Sequence, residues 1–349
     1  MTPRRPHRAR HSRAAAAAAL LLLAAACTAG PPAVVVPSAG MPPAATATPV
    51  PSATVTATAT AGLPGGSPLL GGGRVLAVKI DNTGAARPRI GLDAADIVYV
   101  TPVEGGLTRL LAVFASRMPP QVGPVRSARE FDATILANYG AVAFAYSGAS
   151  ALTASTLAGA APINVSMDVG GRGYRREPGR RAPYNVIGDP AVLLDRAPLS
   201  TPAGDVGFRV GAAPAGGRPG GSLATAYPAA RIGMTWDAVG GRYLVTTDGR
   251  PEAGPDGTRA SAAGILVQWV ASRPSANRDV NGMPTPTLDL IGSGRAQVLR
   301  GGAVYDGTWS RASDRAPTVI TGPDGSPLTF PAGPLWVLLV PDGQAVSVS

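Results

Sequence analysis

Asp96-Ile97-Val98-Tyr99-Val100, Thr108-Arg109-Leu110-Leu111-Ala112-Val113-Phe114 and Ser127-Ala128-Arg129-Glu130-Phe131 follow one another along the chain, and their reading decides the fold. The first two are apolar runs of strand length, rich in β-branched and aromatic residues. The third opens a helix. Ser127 and Glu130 stand at capping-box spacing, so Ser127 can accept from a free helix N–H while Glu130 reaches back to the cap. Phe131, Ile135 and Tyr139 recur on one helical face and Gly140 supplies the stop, which predicts a helix over Ala128–Asn138.

Working outward, Arg74–Ile80 reads as a strand ending in an Asp81-Asn82 turn, and Ala141–Tyr146 as another. Ser150–Leu157 suits a short helix, and Asp189-Pro190 caps and opens a helix over Ala191–Arg196. Alternating strands and helices make residues 73–200 an α/β domain. Beyond Thr201 no helical period competes. Ala230–Trp236, Arg242–Thr247, Ile265–Val270, Thr287–Ile291, Gln297–Arg300, Ala303–Trp309, Thr318–Ile320 and Leu335–Val340 read as short strands, separated by turns such as Asp248-Gly249 and Gly301-Gly302. The expected class is therefore an α/β domain followed by a mostly antiparallel β domain over 222–349, with 201–221 as a linker or loop. Trp236, Trp269, Trp309 and Trp336 fall in these strands and are expected to pack in the core.

The start of the chain speaks of compartment. Arg4, Arg5, Arg8, Arg10 and Arg13 precede the apolar run Ala14–Ala26, and Cys27, the only cysteine, follows it. A basic start, a short apolar stretch and small residues before the cut describe an export signal over 1–26. Leu23-Ala24-Ala25-Ala26-Cys27 reads as a lipoprotein cleavage box, with Cys27 the lipidated residue. Ala24-x-Ala26 also suits the ordinary signal peptidase, which would leave a secreted protein with an unpaired thiol. Residues 27–72 are rich in Pro, Ala and Thr without hydrophobic period, as in a disordered tether. The expected location is the extracytoplasmic face of the cell membrane, held by lipid. The chain carries 45 glycines and 36 prolines, roughly twice the ordinary share. Its net charge of +10 falls to +5 without the five leader arginines, with no basic and aromatic cluster of the kind nucleic acid requires.

Much chemistry is excluded. Both histidines, His7 and His11, lie in the leader, so the remainder has none. Ser-His-Asp and Cys-His catalysis and His- or Cys-ligated metals are thereby removed. Lys79 is the only lysine, and Leu76 three residues before it rules out a Ser-x-x-Lys site. No nucleotide-binding glycine loop stands out, and no cofactor or metal is expected.

Polar chemistry gathers instead between Glu104 and Glu130. Arg126 and Arg129 bracket a helix start, where free N–H groups and partial positive charge favour an anion. Arg109 joins them if the loop folds back along its strand. That strand is roughly 23 Å long, and residues 119–125 reach about 23–25 Å when extended, so the return is only just allowed. The competing reading pairs these arginines with Asp96 or Glu104 to fasten sheet to helix. Glu104, one of four glutamates and followed by two glycines, is the weak catalytic candidate, in a carboxylate pair with Asp96 or Asp81 for glycan cleavage. The run from Arg172 to Asn185 adds Arg175, Tyr184 and Asn185 as candidates for gripping an acidic glycan or phosphate polymer, against the plain alternative of a solvated loop.

Asp81-Asn82, Arg87-Pro88, Gly91-Leu92, Ala95-Asp96-Ile97-Val98-Tyr99, Glu-Gly-Gly-x-Thr-Arg at 104–109 and Gly-Pro-Val-Arg-Ser-Ala-Arg at 123–129 together resemble the YerB-like bacterial lipoprotein family, as does Pro183-x-Asn185. The similarity spans about Arg74 to Pro341 and is densest before Gly148. It implies a domain of unknown function in an N-terminal and a C-terminal part, and adds location and architecture rather than mechanism. The expected function is a noncatalytic envelope protein that binds a wall polymer or another envelope protein. The alternative is a carboxylate-dependent wall-glycan hydrolase using Glu104.

Overall fold

The computed structural model describes residues 67–279 and 281–349. The leader, Cys27 and the tether up to residue 66 lie outside the described residues. Strands β1 (Leu76–Asp81), β2 (Ile97–Pro102) and β3 (Thr108–Phe114) are followed by α1 (Glu130–Leu136), β4 (Ala143–Ala145) and α2 (Ala151–Ala158). A hairpin of β5 (Tyr174–Arg176) and β6 (Val186–Gly188) leads into α3 (Pro190–Asp195). The remainder is nearly all strand: β7 (Ser222–Tyr227), β8 (Ala230–Asp237), β9 (Arg242–Thr247), β10 (Gly264–Val270), β11 (Ser272–Arg278), β12 (Pro284–Leu288), β13 (Gly292–Arg300), β14 (Ala303–Arg311), β15 (Leu335–Pro341) and β16 (Val346–Val348). The N-terminal region thus mixes helix with sheet and the C-terminal region is mostly antiparallel β.

Both regions contribute to one eleven-stranded sheet, in the order Arg218–Pro219, β14, β13, β10, β15, β2, β3, β1, β4 and Ile163–Asn164, with Val319–Thr321 beside β14. The join is β15, which pairs in parallel with β10 on one side and β2 on the other. Alternation along the strands divides the core between the two faces. Leu76, Val78 and Ile80 of β1 pack with Val122, Val125, Val186 and Leu193, and the same face meets Leu223, Ile232, Met234 and Tyr243 of a six-stranded antiparallel sheet. Ala77, Leu111 and Val113 face the other way, onto Phe131 and Ile135 of α1 and Tyr139 three residues beyond its end.

Helix α1 begins at Glu130 and is shorter than expected. Ala128 donates its N–H to the Gly148 carbonyl and Arg129 is extended, so the chain turns helical only after Arg129. Asp132, rather than Glu130, reaches back to the Arg129 N–H at 2.7 Å. The other two helices start as the sequence implies: Ser150 accepts from Thr153 and Asp189 from Val192. The hairpin β11–β12 was not legible over most of its length, because Ser-Arg-Pro-Ser-Ala-Asn-Arg lacks any apolar alternation. Residues 201–221 lie against the sheet: Val206 and Phe208 are buried, Gly211 donates to Phe330, and Arg209–Val210 pairs with Ser67–Pro68. Trp269, Trp309 and Trp336 are buried, whereas Trp236 is half-buried and leans on Tyr243.

Candidate functional site

The site is built at the carboxyl ends of β1 and β2, on the face that carries α1. Lys79 and Asp81 of β1, Thr101 of β2 and Arg109 of β3 share this face, and Asp81 stands opposite Arg109 in register. The return of the chain after β3 decides the rest. The outer edge of β1 is divided: Leu76–Val78 pair with β4, while Asp81 donates to the Pro124 carbonyl and Arg126 donates to that of Lys79. Residues 123–126 therefore run along β1, and Arg126 arrives beside Asp81.

Four cations and three carboxylates meet here. The buried Lys79 ammonium binds Asp132 Oδ1 at 2.6 Å and donates to Thr101, with Phe131 beneath it. Arg129 Nη2 binds Glu104 Oε2 at 2.5 Å. Arg126 Nε binds Asp81 Oδ2 at 2.7 Å, with its guanidinium over the Tyr184 ring. Every one of these carboxylates has both oxygens hydrogen-bonded. Asp81 Oδ1 accepts from the Thr83 N–H and hydroxyl, Asp132 Oδ2 from the Arg129 N–H, and Glu104 Oε1 from the Thr285 hydroxyl.

Arg109 is the remainder. It is nine-tenths buried, donates one N–H to the Ser127 carbonyl at 3.0 Å, and has no carboxylate within ion-pair distance among the described residues. Burial, then the nearby Arg129 and Arg126 charges, pull its pKa down to about 9, against the opposing pull of Glu104 and Asp81. It remains a cation at neutral pH, held where neighbouring cations disfavour it. Lys79 is lowered to about 8 for related reasons: burial first, opposed by Asp132, then reinforced by Arg109 and Arg129.

Glu104 has the opposite character from a general acid. Burial pushes its carboxyl up, but the Arg129 hydrogen bond and charge, with the Thr285 hydroxyl, outweigh that and hold it below the usual carboxylate value. Both oxygens are engaged. The turn that presents it needs its glycines: Gly105 and Gly106 have positive φ, and a Cβ on Gly106 would lie 2.5 Å from Pro228. Asp96, the other suggested partner, instead accepts from the N–H groups of Ala115 and Ser116 at the far end of β3.

Of the residues singled out in the sequence, Glu104, Arg109, Arg126 and Arg129 come together, and Tyr184 joins them beneath Arg126. Arg175 and Asn185 do not enter the cluster. Arg175 is exposed and donates to Gln121, while Asn185 accepts from Arg176. Lys79, Asp132, Thr285 and the buried pair Arg89–Glu252 were missed. Lys79 carried a usable signal, since a lone lysine inside Leu-Ala-Val-Lys-Ile-Asp needs a buried counter-charge. Arg89 donates to the Asp81 carbonyl and binds Glu252, which also accepts from Thr247, and so fixes the end of β1 to β9 and the turn after it. A pocket of about 740 Å³ borders β14 at the other end of the sheet and gathers no comparable chemistry. Among the described residues no three His, Cys, Asp or Glu side chains gather as a metal site requires, and no helix is long and apolar enough to cross a membrane.

This architecture has known relatives. Residues 61–202 match the model of the "Protein of unknown function (DUF3048) N-terminal domain", and residues 223–337 that of its C-terminal domain. The chain is similar to the "Putative lipoprotein YerB" of Bacillus subtilis (strain 168), at 26% identity over 289 residues, covering 79% of this chain and 84% of that protein. The crystal structure of YerB from Bacillus subtilis superposes with a TM-score of 0.68 at 25% identity, covering 81% of this chain and 99% of that one. With both halves of the family matched in order, and the fold shared across nearly the whole of a solved relative, the chain belongs to the DUF3048 family.

Proposed function

We propose that this is a noncatalytic envelope protein, tethered through lipid on Cys27 to the extracytoplasmic face of the cell membrane, that binds a negatively charged group of a wall polymer or of another envelope protein at Arg109 and Arg126. The observation that carries the reading is Arg109. A nearly buried guanidinium beside two other arginines, without a carboxylate of its own, is relieved by an incoming anion. Arg126 supports it, since Nε alone is spent on Asp81 and the side chain keeps 20% of its exposure. The anchor rests on the leader with Cys27 and on membership of a family that includes a protein named as a lipoprotein.

Binding without turnover fits Glu104, whose two oxygens are occupied and whose pKa is depressed rather than raised as a glycosidase acid requires. The test is to incubate the purified full chain with isolated cell walls. The chain should sediment with the walls, sedimentation should fall in Arg126→Ala and Arg109→Gln proteins that remain folded, and no soluble glycan should appear. Wall binding untouched by either substitution would remove the site. Glycan release that disappears in Glu104→Gln would establish the hydrolase reading in its place.

A further inference from the structure

The hairpin beside the cluster carries charge that the anion site alone does not use. Arg175, Arg176 and Arg181 are exposed, and Glu177 is the one acidic residue between them. Glu177 is bound by Arg180 Nε at 2.6 Å and lies 3.5 Å from Arg175. Arg180 also donates to the Ala86 and Pro88 carbonyls, which fixes the hairpin to the loop after β1. Its inner strand is hydrogen-bonded to the returning chain, Val125 to Val186 and Val122 to Gly188. Arg109 donates to the carbonyl of Ser127, the residue after Arg126; Arg126 lies over the Tyr184 ring; and Asn185, next to Tyr184 in the chain, accepts from Arg176.

We infer that this ribbon is one binding track for a linear polymer that carries a negative charge on each repeat. Arg109 and Arg126 hold one repeat, and Arg176 and Arg181 hold those that follow; Arg175, next to Arg176 in the strand, points to the opposite face and binds Gln121. The inference rests on the anion-binding reading of Arg109 and Arg126, and extends it to the class of ligand. The surface favours a polymer over a folded protein partner. A protein interface is anchored by exposed aromatic or large apolar side chains. The large exposed hydrophobics among the described residues are Leu107, Leu152, Val169, Leu199, Val239, Met283 and Ile291, and none lies within 172–185. Arginines in series match repeated charges, whose engagement is strengthened by linkage and weakened by salt.

The test measures binding of the full chain to poly(glycerol phosphate) oligomers of about two and about twelve repeats, with an oligogalacturonate of the longer length as the carboxylate counterpart. The longer oligomer should bind at least roughly tenfold more tightly than the shorter, with a steeper dependence on salt. Replacing Arg176 and Arg181 together by Ala should remove that advantage and leave the affinity for the short oligomer in place, whereas Arg175→Ala, on the other face of the strand, should change neither. Arg126→Ala should weaken both lengths, with Arg126→Lys and a melting measurement separating lost recognition from lost folding. Preference between the two long polymers identifies phosphodiester or carboxylate as the group held. Equal affinity for short and long oligomers would overturn the track while leaving the single-anion site standing. Tight binding of an acidic envelope protein to the hairpin, with neither long polymer competing, would also overturn it. Failure of every oligomer to bind folded wild-type protein would overturn the site and the track together.

Discussion

Arg126 Nε lies 2.7 Å from Asp81 Oδ2, although one residue ends β1 and the other arrives by way of β3 and the segment that returns along β1. Asp81 also stands opposite Arg109 in the sheet, so Arg109 and Arg126 lie at one end of the same strands. Three of the cluster's cations are neutralised internally, and the fourth, Arg109, has no carboxylate within ion-pair distance among the described residues.

The Glu104–Arg129 bridge belongs to the scaffold. Glu104→Gln should destabilise the protein by about 3–5 kcal/mol, because it leaves Arg129 buried without its counter-charge. Chemical denaturation reads this directly. The pair also sets an acid limb. The Glu104 carboxyl is depressed in the folded state, so its contribution is present above the unfolded value of about 4.3 and is lost as pH falls through the folded value. Wild type should lose stability on acidification more steeply than Glu104→Gln. Identical acid limbs would show that the carboxylate is not stabilised by folding.

Lys79 and Asp132 bury opposite charges completely. Lys79→Met or Asp132→Leu alone should each cost about 3–5 kcal/mol, whereas the double substitution should recover most of the loss, since an apolar pair of similar volume removes both desolvation penalties. A double-mutant cycle on thermal or denaturant unfolding measures the coupling. Additive losses would mean that the two charges act independently.

Arg89 and Glu252 lock the N-terminal loop after β1 to the C-terminal part, and both are buried. Glu252→Ala should lower stability by about 3–5 kcal/mol. It should also expose residues 84–90 to hydrogen exchange ahead of the central sheet, because Arg89 and Arg87 hold this loop through Glu252 and the Thr247 carbonyl. Unchanged exchange in that loop would show that the lock is not what orders it.

Lipidation has its own assay. Labelled palmitate should be incorporated into the wild-type chain and not into Cys27→Ala, and the substituted protein should leave the membrane fraction. Equal labelling of both would remove the lipid anchor and return Cys27 to an ordinary thiol.

Much of the secondary structure was legible because it rests on local signals. Thr108–Phe114 and Arg242–Thr247 match the strands read from the sequence, and Ser150 and Asp189 cap the helices they announce. Turn chemistry, side-chain period and capping act over a few residues, so the amino-acid order alone determined them. The first turn of α1 failed for a tertiary reason: the hydrogen bond from Ala128 to the Gly148 carbonyl holds Ala128, and the extended Arg129 after it, outside the helix. Tertiary structure likewise decided which charges meet. Arg126 finds Asp81 rather than Asp96, because the edge of β1 is shared between β4 and the returning chain. The second oxygen of Glu104 is taken by Thr285, from a hairpin with no strand-like alternation in its first arm. Charge types and local segments are written in the order of residues. Partnerships between buried charges depend on which long-range strand register buries them with the fewest unpaired groups, and only the folded chain selects it.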